Sequence, residues 1–115
     1  MDIFVRCTSR EAEAELRSLA AWIGIDRTLR PSVRAKLGSA RPKEAGHQGN
    51  SIDILSLVLS SGFSAASLAA SIATWRSTRP QRPNLTVVRS DGVMIQISGP
   101  SDEEAHQLLQ RALGE

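Results

Sequence analysis

The sequence is poor in the residues that staple, ligate and stack. Its 115 residues include one cysteine, Cys7, two histidines and no tyrosine, and aromatics make up 3%. A single thiol cannot close an internal disulfide or build a cysteine-rich zinc site. Cys7 falls in what reads as a strand, where it is expected to be a buried, inert side chain. His47 and His106 lie far apart, and no HxH, HExxH or CxxC spacing occurs, so the usual metal-ligand patterns are missing. No serine stands in a GxSxG elbow, and no base is evident beside Cys7, which leaves nucleophilic catalysis without its partners. The Gly46-His47-Gln48-Gly49-Asn50 stretch lacks the lysine and the length of a phosphate-binding loop. The acid clusters (Glu11, Glu13 and Glu15; Glu103 and Glu104) fall at helix starts, where the macrodipole favours them without any catalytic role. These absences predict a protein that is not an enzyme, with no catalytic residue, no cofactor and no metal.

Long uncharged apolar runs are missing as well. The least polar stretch, residues 52 to 75, carries Asp53, is broken by Gly62 and contains six serines. It is expected to be buried in the fold and not to span a bilayer. The N-terminus, MDIFVRCTSREAEAEL, turns polar within ten residues and has no apolar h-region, so a cytoplasmic location is expected.

Hydrophobic residues make up 41% and charged residues 23% of the chain, the mixture of an ordinary folded domain. The length suits one domain, residues 1–115, with a core of Leu, Ile, Val and Ala. Net charge is only +2, yet between Arg27 and Arg89 ten basic residues stand against Glu44 and Asp53, a local net of +8. Such asymmetry points to an anionic partner or to a solvated surface balanced in three dimensions.

The pattern along the chain predicts an α+β fold. In residues 2–8, Ile3, Val5 and Cys7 alternate with Asp2, Arg6 and Thr8, with Phe4 the exception; this is a strand with one covered face. Thr8 and Glu11 have capping-box spacing ahead of a helix whose stripe is Ala12, Leu16, Leu19, Ala20 and Ile23, with Trp22 at its edge and Gly24 as its stop. Val33, Ala35 and Leu37 alternate with Arg34 and Lys36, a second strand with a basic outer face. These two strands either neighbour each other as a βαβ unit or admit another strand between them. Residues 38–50 read as a flexible loop. Residues 50–79 read as a helical hairpin, with Ile52 to Leu59 as its first arm, a turn at Ser61-Gly62, and Ala65, Leu68, Ala69, Ile72 and Trp75 or Arg76 lining the second. Leu85 to Val88 and Val93 to Ile97 flank Ser90-Asp91-Gly92, a β-hairpin signal. Ser101 and Glu104 form a second capping box before a helix burying Ala105, Leu108, Leu109 and Ala112. The expected order is β-α-β-α-α-β-β-α, a four-stranded mixed sheet covered by helices.

The candidate functional residues are those that folding does not immediately claim. His47 and Gln48 in the loop, and Trp75, Arg76, Arg79 and Arg82 at the end of the apolar hairpin, are the candidate partner-binding residues. The small-residue helix 63–75 also offers a surface for homo-oligomerisation. A second reading is a small nucleic-acid-binding module using Arg34, Lys36, Arg76, Arg79 and Arg82; the scarcity of aromatics and the absence of an RNP-like signature weigh against it.

Several of these features recur together in one family. A short strand precedes Glu15-Leu16-Arg17-Ser18-Leu19 and Trp22; Gly46 and Gly49 precede an apolar segment ending in Ser61-Gly62; a small-residue helix ends in Trp75-Arg76 and Arg79-Pro80; and an Asp91-Gly92 hairpin precedes a terminal helix. In this the chain resembles, over nearly its full length, the small effector-associated constant component proteins of bacterial conflict systems, found mainly in actinobacteria. Where that family usually carries Met inside the glycine pair, this chain has Gln48. The resemblance implies a non-enzymatic accessory or adaptor protein, usually encoded beside an effector such as a trypsin-like or caspase-like peptidase, and it carries over no catalytic residue.

Overall fold

Alternation with a period of two builds the sheet of this protein. The computed structural model describes residues 2–7, 11–38, 53–80 and 82–113. The element order is β1 (Asp2–Cys7), α1 (Ala12–Ile25), β2 (Val33–Gly38), β3 (Ile54–Leu59), α2 (Ala65–Thr78), β4 (Leu85–Arg89), β5 (Met94–Ile97) and α3 (Asp102–Ala112). The five strands form one sheet in the order β2-β3-β1-β4-β5, and every neighbouring pair is antiparallel.

The fold class is α+β as expected, but the sheet has five strands instead of four and is antiparallel, not mixed. One segment accounts for both corrections. Residues 54–59 are a strand, not the first arm of a helical hairpin. Leu55, Leu57 and Leu59 are buried, while Ile54, Ser56 and Val58 face the other way. A short run that is apolar on both faces has no periodicity to separate helix from strand. Pairing decides it here: β3 is hydrogen-bonded to β2 on one side and β1 on the other, and an interior strand satisfies its backbone on both edges. Because β3 sits between them, β1 and β2 run parallel without touching, the split arrangement that the strand-helix-strand order had left open.

All three helices lie on one face of the sheet. Ile3, Val5, Leu55, Leu57, Leu85, Val87 and Ile97 point into the core from the sheet. Leu16, Leu19 and Ile23 of α1, Leu68, Ala69 and Ile72 of α2, and Ala105, Leu109 and Ala112 of α3 meet them. Cys7 ends β1 and is buried. Helix α1 continues through Gly24 to Ile25, one residue past the stop that glycine signalled. Ser64 and Ser101 cap α2 and α3, accepting from Ser67 N–H and Glu104 N–H, each at 3.2 Å. Asp102, Glu103 and Glu104 fill the first turn of α3, where the dipole favours them. The β4–β5 hairpin forms as its Asp-Gly signal indicates. Gly92 holds φ at +98°, Arg89 N–H donates to Val93 O at 2.8 Å, and Gly92 N–H donates to Arg89 O at 3.0 Å. The positive φ is the reason glycine stands there. The proposed loop at 38–50 is represented only by Gly38, the last residue of β2, with residues 39–50 outside the described residues; so are Thr8 and Asn50, the capping residues expected for α1 and for the misread helix.

Candidate functional site

Of the six candidate contact residues, His47 and Gln48 lie outside the described residues, and the other four converge on one end of α2. Trp75 and Arg76 are 1% and 0% exposed. They are interior residues, which corrects their assignment to a contact surface.

Arg76 acts as an internal clamp. Its Nε donates to Pro83 O at 2.9 Å, and its Nη2 donates to Gly99 O at 2.7 Å and more weakly to Arg82 O at 3.4 Å. The side chain thus ties the end of α2 to the α2–β4 and β5–α3 connections, both of which must turn sharply. Arg82 adopts φ +39°, a conformation that a side chain disfavours, and Gly99 adopts φ +87°, which glycine takes without strain. Nη1 is buried without a hydrogen-bond partner among the described residues. Burial lowers the basicity of this guanidinium; the nearby Asp102 charge acts the other way, and Arg82 adds to the lowering.

A polar seam joins α1 to α2. Trp75 Nε1 donates to Ser18 Oγ at 3.1 Å. Arg79 grips Glu15 with both ends of its fork, Nε to Oε2 at 3.0 Å and Nη2 to Oε1 at 2.5 Å, and Nη1 reaches Ser18 Oγ at 3.3 Å. Its guanidinium lies 5.9 Å from the Trp75 ring centroid. The Glu15 hydrogen bonds raise the Arg79 pKa, burial opposing and the Glu15 and Glu11 charges assisting. One turn further along, Trp22 Nε1 donates to Ser71 Oγ at 3.0 Å and Ser71 donates to Asp26 Oδ2 at 3.1 Å. Asp26 also accepts from the Thr28 hydroxyl at 2.6 Å and the Thr28 N–H at 2.9 Å. The Thr28 hydroxyl bond is the largest cause holding the Asp26 carboxyl below its ordinary value of 3.8; burial opposes it, and the bonds from Thr28 N–H, Ser71 and Leu29 reinforce it. Glu15 and Ser18 of the Glu-Leu-Arg-Ser-Leu motif, and Trp75 and Arg79 at the end of α2, are therefore two sides of one structural joint.

Arg82 pairs with Asp102 at 3.0 Å, which raises the Arg82 pKa. Arg89 pairs with Asp91 across the hairpin turn, and Asp91 is lowered chiefly by that contact. Of the basic residues proposed for nucleic acid, Arg76, Arg79 and Arg82 are thus engaged within the fold. Arg34 and Lys36 alone are exposed and make no ion pair among the described residues.

Those two residues belong to a surface that the sequence had indicated only in part. The sheet face opposite the helices carries even-numbered residues throughout. One row across it runs Lys36, Ser56, Phe4, Val88 and Met94. A second runs Arg34, Val58 and Asp2, and a third Arg6, Thr86 and Gln96. Val58 is 48% and Met94 61% exposed, while Phe4, Ile54 and Val88 are half-buried. The missed residues had left a signal: Phe4 was the one break in the alternation of β1. Among the described residues no three His, Cys, Asp or Glu side chains gather as a metal site, and no helix is long and apolar enough to cross a membrane.

The polar side chains of this α+β scaffold that stand out in the sequence are largely spent on its own joints. A family model, Effector Associated Constant Component 1, matches residues 8–114, and the chain belongs to that family. Neither the curated proteins nor the solved structures contain a match to it.

Proposed function

We propose that this chain is a non-enzymatic accessory component that binds an effector protein of a bacterial conflict or signalling system, the effector being a peptidase of trypsin-like or caspase-like type. The observation that carries this reading is the family match over residues 8–114, whose description is of an effector-associated component. The roles of the polar residues support it. Arg76, Arg79, Arg82, Asp26 and Ser71 are engaged in hydrogen bonds that hold helices and turns together, a structural use of polar side chains that accords with a binding role. Binding of the effector is the chain's contribution, and hydrolysis belongs to the effector.

The test is co-purification of the full chain with the effector encoded beside it, followed by calorimetric titration and a peptidase assay of the effector with and without the chain. A saturable complex with a Kd below about 10 μM is expected, with no hydrolytic activity in the chain alone. Absence of a complex at that concentration contradicts the reading.

A further inference from the structure

The open face of the sheet lacks the composition that its position calls for. An antiparallel sheet covered on one side ordinarily turns polar residues to water on the other. Here Phe4, Ile54, Val58, Val88 and Met94 point away from the helices, and Val58 and Met94 are the most exposed large hydrophobic residues of the sheet. Arg6, Arg34 and Lys36 stand beside them, exposed and without an ion pair among the described residues, with Asp2 as the one acid in the same rows. Five strands at ~4.8 Å spacing and about six residues at ~3.3 Å give a platform roughly 20 Å on each side. That is about half of what one partner contributes to a standard interface.

We infer that this face is the docking surface for the effector and that it takes a protein surface carrying an apolar strip with carboxylates beside it. The inference rests on the effector-binding reading given above. Charge complementarity supplies the acidic part: the cations lie on the β2 side and at the Arg6 end, so the matching carboxylates face those positions, and the apolar strip lies over Phe4, Val88 and Met94. A nucleic acid fits less well. Three cations neutralise few phosphates, and base stacking wants aromatic platforms, whereas four of the five apolar side chains here are aliphatic.

The experiment uses the full chain and the purified effector, titrated calorimetrically. The variants are Val58→Asp with Met94→Asp, Arg34→Glu with Lys36→Glu, and, as a control on the outer surface of α3, Gln107→Arg. Each is checked for folding by circular dichroism. Wild-type binding, with at least tenfold loss in both face variants and none in the control, is the expected result. Equal binding by all forms overturns the docking surface while leaving the effector-binding reading intact. No binding by the wild type overturns both. A labelled 20-mer of RNA or DNA that binds the wild type and is lost in the face variants makes the face a nucleic-acid site and also overturns the inference. So does a Val58→Cys thiol that maleimide fails to reach in the free protein, since the face is then already covered by the chain itself or by a second copy.

Discussion

Arg76→Met removes the donors that tie the end of α2 to two connections while keeping most of the side chain's apolar volume. Arg76 is 0% exposed, and its two short bonds reach Pro83 O at 2.9 Å and Gly99 O at 2.7 Å. Hydrogen bonds from a charged donor contribute ~1.5–3 kcal/mol each, so about 3–6 kcal/mol of interaction is lost. Against this, burying an ion carries a desolvation penalty of several kcal/mol, which truncation relieves in part. Nη1, buried without a partner among the described residues, adds to that penalty and contributes no bond. The loss wins on balance because the carbonyls lose their donors and the strained Arg82 backbone loses its tether. A net destabilisation of ~2–4 kcal/mol follows. In urea unfolding, with a slope of ~2 kcal/mol/M for a chain of this size, the midpoint falls by about 1–2 M. Arg76→Lys falls between the two, since one ammonium cannot span both carbonyls with the geometry of the fork. A methionine variant as stable as the wild type refutes the clamp.

Other perturbations test the remaining joints. Ser71→Ala breaks the Trp22–Ser71–Asp26 relay and leaves the indole N–H without its acceptor, costing about 1–2 kcal/mol in urea unfolding; no change means the relay is incidental. A double-mutant cycle on Glu15 and Arg79 is expected to give ~1–2 kcal/mol of coupling, above an ordinary exposed pair because the contact is bidentate and half-buried. Asp26 is held below its ordinary value of 3.8 in the folded state, so its contribution to stability is present above that pH and is lost as the pH falls through the folded value. Stability of the wild type should therefore decline below about pH 4 more steeply than that of Asp26→Asn, and parallel profiles contradict this. Ser101→Ala removes the cap of α3 and should cost about 1 kcal/mol by the same unfolding measurement.

The sequence displays its local geometry well and its long-range pairing poorly. The alternation of Ile3, Val5 and Cys7, the Asp91-Gly92 turn and the Ser101–Glu104 spacing each depend on neighbours within a few residues, and each appears where that spacing places it. Segment 54–59 was ambiguous because Ile54 and Val58 are apolar on the outer face. The same two residues belong to the open apolar surface, so the misread strand and the candidate docking face share one cause. Trp75 and Arg76 looked like surface residues because they end a helix ahead of prolines. Their hydrogen-bond partners are Ser18, Pro83 and Gly99, brought in by tertiary folding, which no local pattern announces. Arg34 and Lys36 were legible as a basic outer face. Their neighbour Phe4 shows in the sequence only as a break in the alternation of β1, and Val88 and Met94 join the face only through the register.

The central claim is that this chain acts by holding an effector, and titration of the wild-type chain into the effector encoded beside it tests that claim most directly. A saturable isotherm with a Kd below about 10 μM is predicted. A flat isotherm at concentrations of about 10 μM, with both proteins folded, contradicts it.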